Sequence, residues 1–397
     1  MPWKETGPME ERMEFMLLHE SGNWSMTDLC EIFGVSRKTG YKWLRRYEQI
    51  GMDGLREMSR APLRHPNAVA EELEAAIVSL KQQRPKRGPK KVLALLQRQE
   101  PHRPWPVRST IAAILKRHGL VRPRRRCRKS PPYEQPFAGL DRANAVWSAD
   151  LKGWFQTGDG QRCDPLTITD NYSRYLLRCQ AVRATSFAGV QPVFVGAFHE
   201  YGLPAAIRTD NGPPFATTTV GGLSRLSVWW IRLGILPERI KAGKPQQNGR
   251  HERMHRTLKD EAIAPPKVNR RQQQAAFDSF RQEFNHERPH EALNQHFPDE
   301  LYVPSPRPYP PMLPEMTYPN NMQVRWVKAQ GDISWKGHHV YLTETLAGEL
   351  VGLRQINDDL WDIYFGPIRL AQLDTLRKRL IHRPRTARRK GLNRKKT

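Results

Sequence analysis

Apolar residues recur with helical spacing through the first third of the chain and begin, near Ala145, to alternate with strand spacing. The hydrophobic pattern alone therefore separates a helical region from an α/β region. Between Trp24 and Tyr47, "WSMTDLCEIFGVSRKTGYKWLRRY", Leu29, Ile32 and Phe33 mark one short helix, Gly34 breaks it, and Ser36 is placed as the N-cap of a second. Two short helices at a sharp turn form the helix-turn-helix arrangement, whose second helix can enter a major groove. Arg37, Lys38, Thr39 and Lys42 stand near its start, where base or phosphate contacts are made. A three-helix bundle with a solvated basic face fits the same pattern. From Glu71 to Leu120, apolar Leu73, Ile77 and Leu80, then Val92, Leu95 and Leu96, then Ile111, Ile114 and Leu115 predict a further helical unit. "RPKRGPKK" and "RPWPVRS" interrupt it, Ser109 caps its last helix and Gly119 stops it. It reads as a second DNA-binding module or as a plain interaction bundle.

From Ala145, "AVWSADLKG", "CDPLTITDN" and "RYLLRCQAV" predict three antiparallel strands with a turn at Asn171 to Ser173. Ser186 to Tyr201 reads as an amphipathic helix ending at Gly202, "AAIRTDNG" as a buried strand, Val220 to Leu233 as helical, and Gln246 to Ala262 as a helix opened by a Gly-Lys-Pro turn. That order implies a mixed sheet with helices on its faces. Tyr302 to Tyr318 is too rich in proline for helix or central strand, and beyond it short alternating runs predict a small β-barrel. The chain is thus expected to divide into a helix-turn-helix DNA-binding domain (1–60), a second helical DNA-binding domain (66–122), a basic linker (123–139), a catalytic core (140–301), a proline-rich linker (302–319), a small β-barrel (320–375) and a basic disordered tail (376–397).

Charge changes this picture more than composition does. The 397 residues carry a formal net charge of +25, which a polyanion partner rewards through counterion release, so double-stranded DNA is the expected partner. Arg124, Arg125 and Arg126 in the linker are placed to track a phosphate backbone. No run approaches the roughly 20 apolar residues of a membrane span, and the N-terminus has no signal-like apolar core, so a soluble, cytoplasmic protein without a membrane partner is expected. Cys30, Cys127, Cys163 and Cys179 show no zinc spacing, and there is no Walker-type loop.

Asp150 in the first predicted strand, Asp210 at the end of another and Glu252 in the first turns of a helix form an acidic triad inside a basic chain. Hard oxygen ligands suit Mg²⁺ or Mn²⁺, and two such ions about 4 Å apart activate an attacking oxygen and stabilise the leaving one in phosphoryl transfer. Each acid has an ordinary reading: a strand end, an Asx-turn with Asn211-Gly212, and an i, i+4 pair with Arg256. Arg256 and Lys259, four and seven residues after Glu252, add cations suited to scissile and target phosphates. Glu238 and Glu261 are the alternative third ligands. Asp170 reads as a hairpin determinant, and His286 with His290 as structural, since Pro289 interrupts their i, i+4 spacing.

"WSADLKG", "IRTDNGPPF" and "KPQQNGRHERMHRTLK" resemble the aspartate, aspartate, glutamate signature of insertion-sequence transposases and retroviral integrases, and "FNHERPHEALNQHFPDELY" resembles the segment that follows that core in bacterial members. The resemblance covers roughly residues 140 to 305. It implies a ribonuclease-H-like fold in which Asp150 and Asp210 share one metal ion and Asp150 and Glu252 the other, with water attacking at the element end and the freed 3′-hydroxyl then attacking target DNA. It also implies that His255 and Lys259 contact DNA and that Asn248 lies in the loop before the catalytic helix. A strand-transfer enzyme must hold two DNA ends, the terminal inverted repeats of its element, so a dimer or larger assembly on DNA is expected. A transcriptional regulator with a dead catalytic fold and a purely hydrolytic nuclease are the rival readings.

Overall fold

The computed structural model describes residues 7–59, 68–121, 141–217, 219–240, 249–377 and 379–381. The expected basic linker with Arg124, Arg125 and Arg126, the position of Asn248 and the tail from residue 382 lie outside the described residues. The chain forms two units, Met1–Ala70 and Glu71–Thr397.

The first unit holds α1 (Pro8–Glu20), α2 (Met26–Ile32) and α3 (Arg37–Ile50). Ser25 caps α2, with Asp28 reaching back to it, and the Ser36 hydroxyl accepts the Thr39 amide at the start of α3, as the sequence predicts. Phe15, Met16, Leu29, Cys30, Trp43 and Leu55 close the small core. A Cβ on Gly40 would sit 2.8 Å from the Cys30 sulfur, so glycine lets α3 cross α2 closely. α1 is not among the predicted elements, because its apolar face (Phe15, Met16) is short.

The second unit begins with α4 (Glu71–Gln83), α5 (Pro89–Gln99) and α6 (Arg108–Arg117). Val107, not Ser109, is the N-cap of α6, and Ser109 lies within its first turn. Gly119 takes a φ of 67° just past its end. The core sheet then forms from β1 (Val146–Leu151), β2 (Phe155–Gln156), β3 (Arg162–Asp170), β4 (Leu176–Val182), β5 (Ala206–Thr209) and β6 (Leu236–Arg239). β3 pairs antiparallel with β1, β2 and β4, whereas β1–β5 and β5–β6 are parallel. This is the expected mixed sheet, with β2 and β6 added. Asp170 shapes the β3–β4 turn, accepting the Asn144 amide and the Ser173 amide and hydroxyl. Burial pushes its carboxyl above the usual range.

Alternation along β1 and β3 builds two cores. Trp147, Ala149, Leu166 and Ile168 face α7 (Phe187–Tyr201) and α8 (Arg225–Arg232), through Phe194, Phe198, Leu226, Trp229 and Trp230. On another side, Cys163, Leu176 and Cys179 pack with α9 (Gly249–Leu258) and α10 (Arg270–His286), through Met254, Leu258, Phe277, Phe280 and Phe284. The mostly polar α10 is not among the elements that the sequence pattern predicts.

Residues 302–319 contain no helix or strand, as their prolines require, yet the first of them are bound to the core. The Leu203 backbone donates to the Arg307 carbonyl, the Ser305 backbone donates to the Tyr201 carbonyl, and Asn144 Nδ2 donates to the Val303 carbonyl. The C-terminal strands β7 (Gln323–Trp326), β8 (Asp332–Trp335), β9 (His338–Tyr341), β10 (Leu350–Gln355), β11 (Leu360–Phe365), β12 (Ile368–Asp374) and β13 (Arg379–Ile381) follow. They pair as a five-stranded antiparallel sheet, β13-β12-β11-β10-β7, and a separate β8–β9 hairpin, rather than as a ring of strands. Ile333 and Trp335 of the hairpin share a core with Val351, Trp361 and Ile363 of the sheet, and with Leu223, Val228 and Ile231 beside and on α8. Arg379–Ile381, expected in a disordered tail, is a strand because its backbone completes the edge of β12.

Candidate active site

The sheet register decides where the first two acids stand. Asp150 is opposite Thr167 on β3, and Ser148, two residues before Asp150, is opposite Arg208 on the parallel β5. Asp210 is two residues beyond Arg208, so Asp150 and Asp210 emerge at matching positions from the carboxyl ends of adjacent strands. Asp210 is half-buried and accepts the Gly212 amide at 3.2 Å, the expected Asx-turn, while the Asn211 side chain donates to the Ile240 carbonyl.

α9 reaches the same strand pair through two buried histidines. The Thr167 hydroxyl lies 2.6 Å from His251 Nε2 and 2.7 Å from His255 Nε2, and His255 Nδ1 is 3.8 Å from Asp150 Oδ2. The same hydroxyl also meets the Asp150 carbonyl at 3.2 Å; when His251 donates to Thr167 and Thr167 shares its proton with His255, a shorter contact than the carbonyl, the His255 Nδ1 proton faces the carboxylate. Burial lowers the pKa of His251 to about 3 and that of His255 to about 2, so both rings are neutral at pH 7. His255, expected to contact DNA, is thus turned inward. The sequence carries a signal for this clamp, since His251 and His255 are i, i+4 on one helix face, as His286 and His290 are nominally. Those two are engaged elsewhere: His286 with Asp299 at 2.8 Å, and His290 against the Phe284 ring.

Glu252 follows His251 on α9 and is exposed, as are Arg256 and Lys259. The rival third ligands are held by arginines. Glu238 receives Arg208 at 2.6 Å, and both Glu261 oxygens receive Arg288 at 2.7 and 2.8 Å. Asp150, His251 and His255 also bring three potential ligand atoms within 4.8 Å of one another, but both Nε2 atoms are already on Thr167. In the first unit Arg37, Lys38 and Lys42 are exposed on α3, whereas Thr39 is drawn into the cap, 2.9 Å from Ser36 Oγ.

Family models match the chain in order: the leucine-zipper of insertion element IS481 over 16–91, integrase core domains over 141–245 and 233–298, and the IS481 family transposase C-terminal domain over 322–381. The first integrase match holds Asp150 and Asp210, and the second holds Glu252. Taken in order, these matches make the chain similar to insertion-sequence transposases of the IS481 type with an integrase core. The transposase is a polynucleotidyl transferase of the type named for its two aspartates and glutamate. It is 29% identical over 254 residues to the 31.7 kDa protein of insertion element IS407 from Burkholderia multivorans, a match covering 62% of this chain and 86% of that one. It is 27% identical over 244 residues to the 39.2 kDa protein of insertion element IS476 from Xanthomonas euvesicatoria, covering 60% and 67%. Among solved structures, the HTLV-2 integrase catalytic core domain in complex with magnesium aligns with a TM-score of 0.33 at 14% identity, over 41% of this chain and 99% of that one. The zipper-named segment of the transposase is folded as separate short helices, broken at 21–25 and 33–36. Among the described residues no helix is long and apolar enough to cross a membrane.

Proposed function

We propose that this transposase binds the terminal inverted repeats of an insertion sequence and cuts and joins DNA strands, with Asp150, Asp210 and Glu252 holding two Mg²⁺ or Mn²⁺ ions. The observation that carries this reading is the register that sets Asp150 and Asp210 side by side, with α9 clamped over the same strand through Thr167. All three donors are carboxylates, the hard oxygen set that Mg²⁺ prefers. Glu252 is favoured as the third because Glu238 and Glu261 are neutralised by Arg208 and Arg288. Bound ions would activate the attacking oxygen and stabilise the leaving one. Arg256 and Lys259, exposed beside Glu252, would hold the phosphates, and His255 would orient Asp150 from behind.

In this reading the β-sheet core is ribonuclease-H-like, and the C-terminal sheet and hairpin form a barrel-like module. Arg37, Lys38 and Lys42 on α3 read the element ends as a helix-turn-helix, helped by Arg124 to Arg126, Asn248 and the basic tail. The protein works in the cytoplasm as a dimer or larger assembly on DNA, because each active site handles one end. Asp150→Asn, Asp210→Asn and Glu252→Gln are each expected to abolish cleavage and joining of a terminal-repeat duplex while leaving its binding unchanged or improved. Strong joining by Glu252→Gln together with loss in Glu261→Gln would move the third ligand. Cleaved but never joined products from the unaltered protein would make it a nuclease.

A further inference from the structure

α9 has a second flank. At 100° per residue, Glu252, Arg256 and Lys259 lie on one side of the buried His251–Met254–His255–Leu258 stripe, and Arg250, Arg253 and Thr257 lie on the other. That other side borders a cleft of 590 Å³ whose wall includes Lys91, Arg174, Arg250, Arg253, Arg288 and His290. Arg288 is occupied by Glu261. Arg174 differs, because its Nη1 is buried without a hydrogen-bond partner, and the buried His290 Nε2 is likewise unpartnered. The one carboxylate that favours the Arg174 charge is Asp170, which is already bonded to Ser173 and Asn144. Arg174 also sits at a φ of 65°, where glycine would be relaxed and arginine is strained. Burial together with Arg250 and Arg253 pulls its guanidinium down to about 10, and burial beside Arg288 and Arg87 pulls Lys91 to about 7. Cations gathered in a half-buried cleft repel one another, and that cost is relieved by a bound anion.

We infer that this cleft is a phosphate site, in which Arg174, Arg250 and Arg253 hold a backbone phosphodiester of DNA other than the one being cut. DNA is the occupant the surroundings favour: the site shares a helix with Glu252, so one duplex crossing α9 can meet both flanks, and the chain is strongly cationic. A single phosphate held behind the catalytic helix fixes the register of the strand presented in front of it.

The inference rests on the DNA-processing reading, and its test is independent of the chemistry because binding is measured without divalent ions. The full chain, Arg174→Gln and Arg253→Gln are compared. Arg253 is exposed, so that variant folds even if Arg174→Gln does not. Arg271→Gln, exposed on α10 outside the cleft, is the control. Inorganic phosphate should raise the thermal midpoint of the unaltered protein and of Arg271→Gln, but not of the two cleft variants. With a random-sequence duplex, the slope of log K against log salt should fall by roughly 0.9 for the phosphate no longer held, in the cleft variants only. Unchanged phosphate stabilisation and slope in the cleft variants overturn the site. Lost phosphate stabilisation with an unchanged slope makes the occupant a free anion and overturns the DNA assignment, and an equal slope change in Arg271→Gln reduces the effect to general charge.

Discussion

Thr167 bears on Asp150 both directly and through the histidines, since its hydroxyl also meets the Asp150 carbonyl at 3.2 Å. Its hydroxyl is the common partner of two buried imidazoles, one of which faces Asp150, and valine would keep its shape while removing that partner. Thr167→Val is expected to cost about 1–3 kcal/mol for the unsatisfied histidine atoms. It should also slow strand cutting by on the order of 10- to 100-fold as α9 drifts over β1, with a higher Mg²⁺ requirement. Thr167→Ser should restore both, and equal activity of the valine and serine variants would show that the hydroxyl positions nothing. The same histidines set an acid limit on stability. His251 and His290 are both lowered to about 3 and stay neutral when folded, whereas the unfolded chain protonates them near 6.5. The unfolded state therefore binds more protons between these values, so stability is complete above pH 6.5 and falls as pH drops, by up to about 1.4 kcal/mol per pH unit for each. Asp170, raised by burial, acts with the opposite sign in the carboxylate range, so urea midpoints should be compared between pH 7 and pH 5; identical midpoints would refute the effect. Asp150, Asp210 and Glu252 stand out as candidates in the sequence because short motifs surround them. The clamp was not, because nothing in a linear pattern shows that a threonine on one strand sits beneath two histidines of a distant helix.

Charged elements were read less well than apolar ones. "RPKRGPKK" lies in a unit that reads as a DNA-binding module, yet Arg84 pairs with Glu287, Arg87 with Glu283 and Lys90 with Glu291, and Arg98 further along α5 pairs with Glu300. Sequence records that a lysine is charged and not which carboxylate folding brings to it. The α10 segment "RRQQQAAFDSFRQEFNH" is mostly polar, but Phe277, Phe280 and Phe284 mark its inner face at i, i+3 and i+7, so that helix was readable. Arg87 is 2% exposed, and Arg87→Ala would leave Glu283 and Glu261 without it. The expected loss is about 3–5 kcal/mol, seen as faster amide exchange and proteolysis in α4–α6 while β1 and β3 stay protected. Uniform loosening of the whole second unit would instead make α4–α6 inseparable from the sheet.

For the whole molecule, the change from helical to strand period foretold the order of its parts, whereas their edges depended on packing. The boundary between units falls at Ala70. A chain cut there should melt cooperatively as residues 71–397, nick DNA weakly in the presence of metal, and bind terminal-repeat and scrambled duplexes alike, since in the proposed reading α3 supplies the base readout. Retained preference for the repeat in competition binding would place the reader in the second unit. A cut at residue 120 should fare worse, by stripping α4–α6 from the carboxylates they neutralise.

The proline-rich segment also has a consequence in time. Asn144 opens β1, but its side chain is completed by the Val303 carbonyl and the Tyr302 hydroxyl, and the Leu203 amide waits for the Arg307 carbonyl. At about 5–20 residues per second of synthesis, β1 leaves the ribosome roughly ten to thirty seconds before its last partners. A nascent chain therefore carries its acids well before the frame around them is closed, and a message broken upstream of residue 302 yields a protein with every candidate ligand and no finished site.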